Sequence, residues 1–331
     1  MPSALTNFDD ALVALKSLGR VGIAPQIRPL TGGVSALVAV IEDGDQRWVV
    51  KVPLGQLSVD DEWRVGRERG ANEASVLELL AGHLGPVRIP RLLFFDPSFV
   101  VLGEEFIEGP TLNYKDELLN GRAHLDVAVS LGEAVGLLHR LPPPTNLAGP
   151  APRQLFDELR LDPYYRMAAE RRPELRDDLL LLVADTIAAP CATLVHGDLT
   201  PKNVLITSSA PVLLDWEVIH VGDPAFDLGM MGAHFMLKAL HHGVNRRAHP
   251  LVEAARGFWL AYDGPADLGR SLRHTGGVMI ARLYGKSPVE YLVDESSRRR
   301  ALRIGALALG GDINSVESLL GLLEDDERTE R

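Results

Sequence analysis

The stretch Val195-His196-Gly197-Asp198-Leu199-Thr200-Pro201-Lys202-Asn203-Val204-Leu205-Ile206 sets a histidine, a carboxylate and a carboxamide between two apolar runs. A further run, Val212-Leu213-Leu214, ends in Asp215-Trp216-Glu217, and Gly222-Asp223-Pro224-Ala225-Phe226-Asp227 follows. Because apolar residues flank each polar cluster, the carboxylates fall at strand ends and in turns. Such positions gather side chains from separate elements at one edge. Phosphoryl transfer needs metal ions to neutralise phosphate charge and a carboxylate to orient and deprotonate the acceptor hydroxyl. In that chemistry Asp198 is the catalytic carboxylate, and Asn203 and Asp215 are ligands for Mg2+, an ion that takes hard oxygen donors. The bland alternative makes His-Gly-Asp an ordinary turn and Asp215 a strand end. It requires the whole spacing to arise by chance.

Elements of two kinds must position these residues. In the first third, 34–41 and 48–52 are β-prone runs, separated by Glu42-Asp43-Gly44-Asp45, which reads as a hairpin turn. A helical pattern follows over 72–84, with Val76, Leu77, Leu80 and Leu84 on one stripe. Two short apolar runs, 91–95 and 99–102, come next. From about Gly109 the character turns helical. The segment 126–140 puts Val127, Leu131, Ala134, Val135 and Leu138 on one face and is stopped by Pro142-Pro143-Pro144. A charged helical stretch spans 153–185. A strand-loop-strand segment interrupts at 193–215, and helical patterns resume to the end. The expected division is 1–107, small and β-rich, and 108–331, larger and mainly helical, joined near 103–109.

Composition narrows the partners. The 331 residues carry 34 Lys+Arg against 45 Asp+Glu, a net charge of −11, which disfavours a nucleic-acid binder. Apolar types at 46% suit a protein with a real core. A single cysteine, Cys191, excludes an internal disulfide and a thiolate zinc cluster. With no basic-then-apolar leader after Met1-Pro2-Ser3, a cytoplasmic location is expected. The greasiest stretch, 179–195, is interrupted by Asp185 and Pro190 and does not suit a membrane span. Only six of the basic residues are lysines, so each placed lysine is easier to judge. Composition leaves a homodimer open.

The His-Gly-Asp-x-x-x-x-Asn segment and its following Asp-x-Glu resemble the aminoglycoside phosphotransferase and choline kinase superfamily. The resemblance implies a bilobal, protein-kinase-like α+β fold. It makes Asp198 the base, Asn203 and Asp215 the metal ligands with Glu217 assisting, His196 a support of the loop, and Asp223 and Asp227 acceptors of backbone hydrogen bonds. It also calls for a nucleotide clamp near the N-terminus. Thr31-Gly32-Gly33-Val34-Ser35 precedes the first β run, where a phosphate-covering hairpin is expected, with Gly32, Gly33 and Ser35 on ATP. Lys51, between Val50 and Val52, takes the position of the phosphate-pairing lysine, and Glu73 that of its ion-pair partner. The joint 102–107 would offer main-chain groups to the base, with Glu105 and Ile107 the candidates.

Within the superfamily, Val49-Val50-Lys51-Val52-Pro53-Leu54, then Trp63, Arg69 and Glu73, is similar to the methylthioribose kinases. Phe95-Asp96-Pro97 and Gly276-Gly277-Val278-Met279-Ile280-Ala281-Arg282 fit the same pattern. Two departures stand out. Ala281-Arg282 replaces the tandem arginines those enzymes carry near the substrate, and Pro288 stands where a histidine is expected. Asn203, which they tend to lack, is present here. The resemblance implies ATP- and Mg2+-dependent transfer to a hydroxyl of a small sugar such as 5-methylthioribose or a 5-deoxypentose, with Arg282 and Trp63 beside the acceptor. The alternatives are an aminoglycoside or other antibiotic kinase, and a non-catalytic nucleotide-binding module. The basic excess in 271–304, seven Lys/Arg against three Asp/Glu, favours a neutral or anionic polyol over a polyamine.

Overall fold

In the computed structural model the residues described are 5–30, 35–56, 63, 65–189, 193–243 and 248–323. The chain divides into two compact units. One comprises Met1–Ala81, Ile89–Gly109 and Asp215–Val218; the other comprises Gly82–Arg88, Pro110–Leu214 and Ile219–Arg331. The break expected at 107/108 is therefore crossed twice. Arg88 joins the second unit because its backbone bonds with Pro211 and Leu213. Asp215–Val218 joins the first because its side chains and amides are bonded there, as described below.

The first unit is built on a five-stranded antiparallel sheet. Its strands are β1 (Gln26–Pro29), β2 (Ala36–Asp43), β3 (Gln46–Pro53), β4 (Leu92–Asp96) and β5 (Val101–Glu105), in the order β1-β2-β3-β5-β4. The β2–β3 hairpin closes over Gly44-Asp45, and Gly44 takes φ +60, which a residue without Cβ adopts at no steric cost. Helix α1 (Phe8–Ser17) is capped by Asn7 and buries Ala11, Ala14 and Leu15 with Ile41, Trp48, Val50 and Val101 in one core. Helix α2 (Arg69–Leu80) starts earlier than its apolar stripe predicts and also ends earlier, where Gly82 and Gly85 turn the chain in the left-handed region.

In the second unit, β6 (Leu112–Asn113), β8 (Val204–Ile206) and β9 (Val212–Leu213) form one small sheet, and β7 (Thr193–Val195) pairs with β10 (His220–Gly222). The helices are α3 (Tyr114–Leu119), α4 (Leu125–Arg140), α5 (Pro150–Phe156), α6 (Met167–Arg171), α7 (Arg176–Ala188), α8 (Ala225–His242), α9 (Ala248–Ala261), α10 (Leu268–Tyr284), α11 (Glu295–Gly310) and α12 (Val316–Gly321). The single helix expected over 153–185 is broken. Between α5 and α6, Asp157–Arg166 winds with i→i+5 hydrogen bonds around Pro163, whose ring nitrogen has no hydrogen to donate. No helix of the described residues is long and apolar enough to cross a membrane.

Helix α8 is buried over nearly its whole length and packs on α10 and α9. On α10, His274 is fully buried, with Nδ1 at 2.8 Å from the Tyr165 hydroxyl and Nε2 at 3.2 Å from Thr186 Oγ1. Thr186 gives its proton to the Leu182 carbonyl, so Nε2 is the donor to Thr186 and Nδ1 accepts from Tyr165. Burial, with Arg270 and Arg273 adding, pushes His274 down to about 3. The unfolded chain therefore binds a proton there below pH 6.5 that the folded chain refuses until about pH 3. That share of stability is present above pH 6.5 and is lost on acidification, at about 1.4 kcal/mol per pH unit. A His274→Gln variant should show a shallower fall in unfolding free energy between pH 6.5 and 4.5. An unchanged slope would count against a neutral buried imidazole.

Candidate active site

In the first unit, β3 delivers Lys51 and α2 delivers Glu73. The Lys51 Nζ lies 2.9 Å from Glu73 Oε1 and 2.5 Å from Asp215 Oδ1. Glu73 Oε1 also accepts the Trp216 amide at 3.0 Å, so one carboxylate ties the lysine to the backbone beside Asp215. Asp215 itself sits at φ 65, in the left-handed region that few non-glycine residues occupy and that aspartate tolerates better than most. Glu217 is buried and receives Arg69 Nε at 3.0 Å. The Arg69 guanidinium reaches in addition the carbonyls of Ser35, Leu54 and Gly66. It thus holds the entry to β2, the exit of β3 and the segment after Asp215 in one knot.

Charge in this unit is unbalanced. Glu73, Glu104, Asp215 and Glu217 are four carboxylates around two cations, Lys51 and Arg69. Burial opposes a charge on Lys51, yet Asp215 and Glu73 outweigh it and hold the ammonium well above its ordinary range. Burial pushes Glu73 up to about 8, with Glu104 and Asp215 adding and Lys51 opposing, and Glu104 is raised for the same first reason.

In the second unit, the loop after β7 holds Asp198. Gly197 takes φ +77, so the residue between His196 and Asp198 must tolerate the left-handed region. The amides of His196 and Gly197 donate to the Asp227 carboxylate at 2.7 and 2.9 Å. Burial opposes that charge, but His139 at 3.2 Å and these amides hold the carboxyl below its usual range. His196 Nδ1 accepts the Asp198 amide at 3.1 Å, which leaves Nε2 to donate to the Leu214 carbonyl at 3.2 Å. Its role is to brace the loop. Asp223 does not join this network: it caps the start of α8 through the Ala225 amide and pairs with Arg270.

The Asp198 carboxylate is 2 % exposed and receives three side chains. Asn203 Nδ2 donates to Oδ2 at 2.9 Å, Lys202 Nζ is 3.2 Å from the same oxygen, and Arg160 Nη2 is 2.9 Å from Oδ1. Arg160 was not singled out from the sequence. It comes from the i→i+5 stretch, and its Nε donates to the Gly197 carbonyl at 2.9 Å, so one guanidinium sets both the backbone and the side chain of the loop. Lys202 had a signal in its rarity among the basic residues and in its place four residues after Asp198. Arg160→Met should lower kcat by up to about 10²-fold and leave the nucleotide KM in place, since it lets Asp198 drift without touching the clamp. An equal rise in nucleotide KM would show a wider structural role.

The remaining predicted residues fall as follows. Gly32 and Gly33 lie outside the described residues, and Ser35 accepts Arg69 and the Leu54 amide at its carbonyl. Glu105 bonds back to Arg91 through both its amide and its carboxylate, and Ile107 follows it half-buried. Trp63 is buried at 6 % exposure. Arg282, on α10, donates Nη1 to Ser287 Oγ at 2.8 Å, and its Nε is buried without a partner among the described residues. The carboxylate that Asp-x-Glu spacing offers to a metal at Glu217 is taken up by Arg69. Among the described residues no group of three or more His, Cys, Asp or Glu is gathered to hold a metal.

A methylthioribose kinase of Escherichia coli O45:K1 is 25% identical to this chain over 224 residues, which is 58% of this chain and 53% of that protein. The chain spans about half the length of the curated relatives it matches. Among solved structures, choline kinase LicA from Streptococcus pneumoniae aligns over 92% of this chain and 99% of its own with a TM-score of 0.55 at 13% identity. A choline/ethanolamine kinase family protein from Mesorhizobium loti aligns over 96% and 99% with a TM-score of 0.51 at 18% identity. Both share with this chain the mixed α+β fold of an antiparallel sheet followed by a mostly helical part. Residues 26–261, from the start of β1 to the end of α9, match the phosphotransferase enzyme family, APH, and this chain belongs to that family.

Proposed function

We propose that this chain is a small-molecule kinase that transfers the γ-phosphoryl group of ATP to a hydroxyl of a small sugar-like acceptor, of the class of 5-methylthioribose or a 5-deoxypentose. The observation that carries this reading is the pairing of Lys51 with both Glu73 and Asp215. A lysine so held presents a fixed cation to nucleotide phosphates. The adenine would meet the main chain at Glu105 and Ile107, and the loop containing Gly32, Gly33 and Ser35 would cover the phosphates.

The donor set fits Mg2+. Three buried carboxylates, Glu73, Glu104 and Glu217, and the part-exposed Asp215 face two cations, Lys51 and Arg69, an excess of acidic groups that suits a divalent ion. Asp215 would hold it in the first unit as a hard oxygen donor, and the side-chain oxygen of Asn203 is a donor of the same kind in the second; Glu217, committed to Arg69, would steady the segment rather than bind. When bound, the ion neutralises phosphate charge. Asp198 orients the acceptor hydroxyl and takes its proton as the new bond from acceptor oxygen to γ-phosphorus forms. The bond to the β,γ-bridging oxygen breaks, and ADP leaves with that electron pair. Arg160, Lys202 and Asn203 keep the carboxylate aimed, and Arg282 donates to acceptor hydroxyls. The single cysteine and the acidic balance suit a cytoplasmic enzyme.

The test is a screen for ADP release over sugars, amino alcohols and aminoglycosides, with phosphorylated product identified by 31P NMR. A phosphorylated sugar that is not formed by Asp198→Asn supports the reading. ADP release with no phosphorylated product from any acceptor would remove it.

A further inference from the structure

Helix α8 carries a lysine where a core residue would be expected. Lys238 is 1 % exposed, and its Nζ lies 3.2 Å from His234 Nδ1 and 5.3 Å from the centroid of the Tyr291 ring. His234, one turn earlier, is also buried. The neighbouring charges that act on Lys238 are Arg282 of α10 and Lys115 of α3; those that act on His234 are Lys238, Arg282, Lys202 and Lys115. Every one is a base. Among the described residues, Lys238, Arg282 and Lys115 have no carboxylate partner. Arg282 Nε and the Tyr291 hydroxyl are both buried with no hydrogen-bond partner among the described residues. Three elements of one unit thus bring cations and unused donors together, and Lys202, which acts on the same histidine, reaches Asp198 at 3.2 Å.

Burying the Lys238 ammonium near the half-buried Arg282 and the exposed Lys115 without a counter-charge is costly, commonly several kcal/mol for the buried ion. Burial and the flanking cations accordingly hold Lys238 and His234 well below their ordinary ranges. An anionic oxygen group would supply the missing charge and accept hydrogen bonds from the Arg282 Nε, the Tyr291 hydroxyl and the lysine. A polyamine such as an aminoglycoside would add to the repulsion.

We infer that the acceptor phosphorylated at Asp198 is an anionic polyol, whose carboxylate or phosphate group docks on Lys238, Arg282 and Tyr291. The inference rests on the phosphotransfer reading and narrows its sugar to an acidic one. Bidentate donation from Arg282 and a bond from Lys238, which takes up a proton as the anion enters, recognise the anionic group, and the hydroxyl to be phosphorylated lies on the same molecule.

The experiment compares kcat/KM for four acceptors on the full chain with Mg·ATP: a pentose, its aldonate, its 5-phosphate and kanamycin. The aldonate or the sugar phosphate should exceed the pentose by about 10–100-fold, and whichever leads identifies the anionic group. Lys238→Met and Arg282→Gln should each collapse that preference, raising the acceptor KM and leaving the ATP KM within about twofold. Removing a buried lysine for packing reasons alone would move the melting temperature and not the anionic-to-neutral ratio. If Lys238→Met fails to fold, the Arg282→Gln ratio decides. A pentose or kanamycin turned over as well as both anionic acceptors overturns the inference and leaves phosphotransfer standing. Absence of phosphorylated product from all four, with ADP release independent of Asp198, overturns both.

Discussion

Asp198→Asn should lower kcat by about 10²–10⁴-fold while ADP still binds. A carboxamide can hold a hydroxyl by a hydrogen bond but cannot accept its proton, and Asp198 is the one carboxylate that Asn203, Lys202 and Arg160 jointly aim. The substitution also has a structural cost. Arg160 is buried, and its anionic partner is replaced by a neutral oxygen. Breaking a buried pair costs about 3 kcal/mol or more, so the melting temperature should fall with the turnover. Measuring kcat, ADP affinity and melting on the same preparation separates the two losses. Turnover within tenfold of wild type would remove Asp198 as the base.

Asp215→Asn is the second large effect, on the order of 10³-fold in kcat/KM for Mg·ATP, since a metal contact contributes several kcal/mol to stabilising transferring phosphate. Asparagine is chosen because it accepts the left-handed backbone at φ 65 as readily as aspartate, so the loss reads charge and not strain. Lys51 loses one of its two anionic partners and keeps Glu73. Raising Mg2+ should recover part of the rate, because the defect lies in holding the ion. Wild-type kinetics at low Mg2+ would show that Asp215 is not a ligand.

Residues that announce themselves by local pattern were legible in the sequence. The β2–β3 hairpin follows from two β-prone runs around a glycine turn, and Lys51 could be placed on β3 because Val50 and Val52 flank it in the second run. The loop His196-Gly197-Asp198 follows from its spacing, and its dependence on Asp227 is a matter of two backbone amides. What stayed hidden depends on partners distant in sequence. Glu217 looks like a metal-facing carboxylate until Arg69, 148 residues earlier, is seen to occupy it. Arg160 sits in a charged segment that reads as plain helix, and only the i→i+5 winding around Pro163 brings it to Asp198. Lys238 was masked by its neighbours, since α8 is so apolar that it reads as core throughout.

The four residues Asp215–Val218 belong to the first unit although the chain on both sides of them belongs to the second. This constrains how relatives of this chain can be recombined. A chimera joined once, near residue 109, would take its sheet from one parent and Asp215, one of the two partners of Lys51, from the other, and the Arg69–Glu217 and Glu73–Trp216 bonds would become contacts between parents. Nor would residues 1–109 alone make a sound fragment, because Arg69 would keep its charge in the interior without Glu217. Inheritance of the sheet-bearing unit is therefore discontinuous: a second, four-residue graft must travel with it.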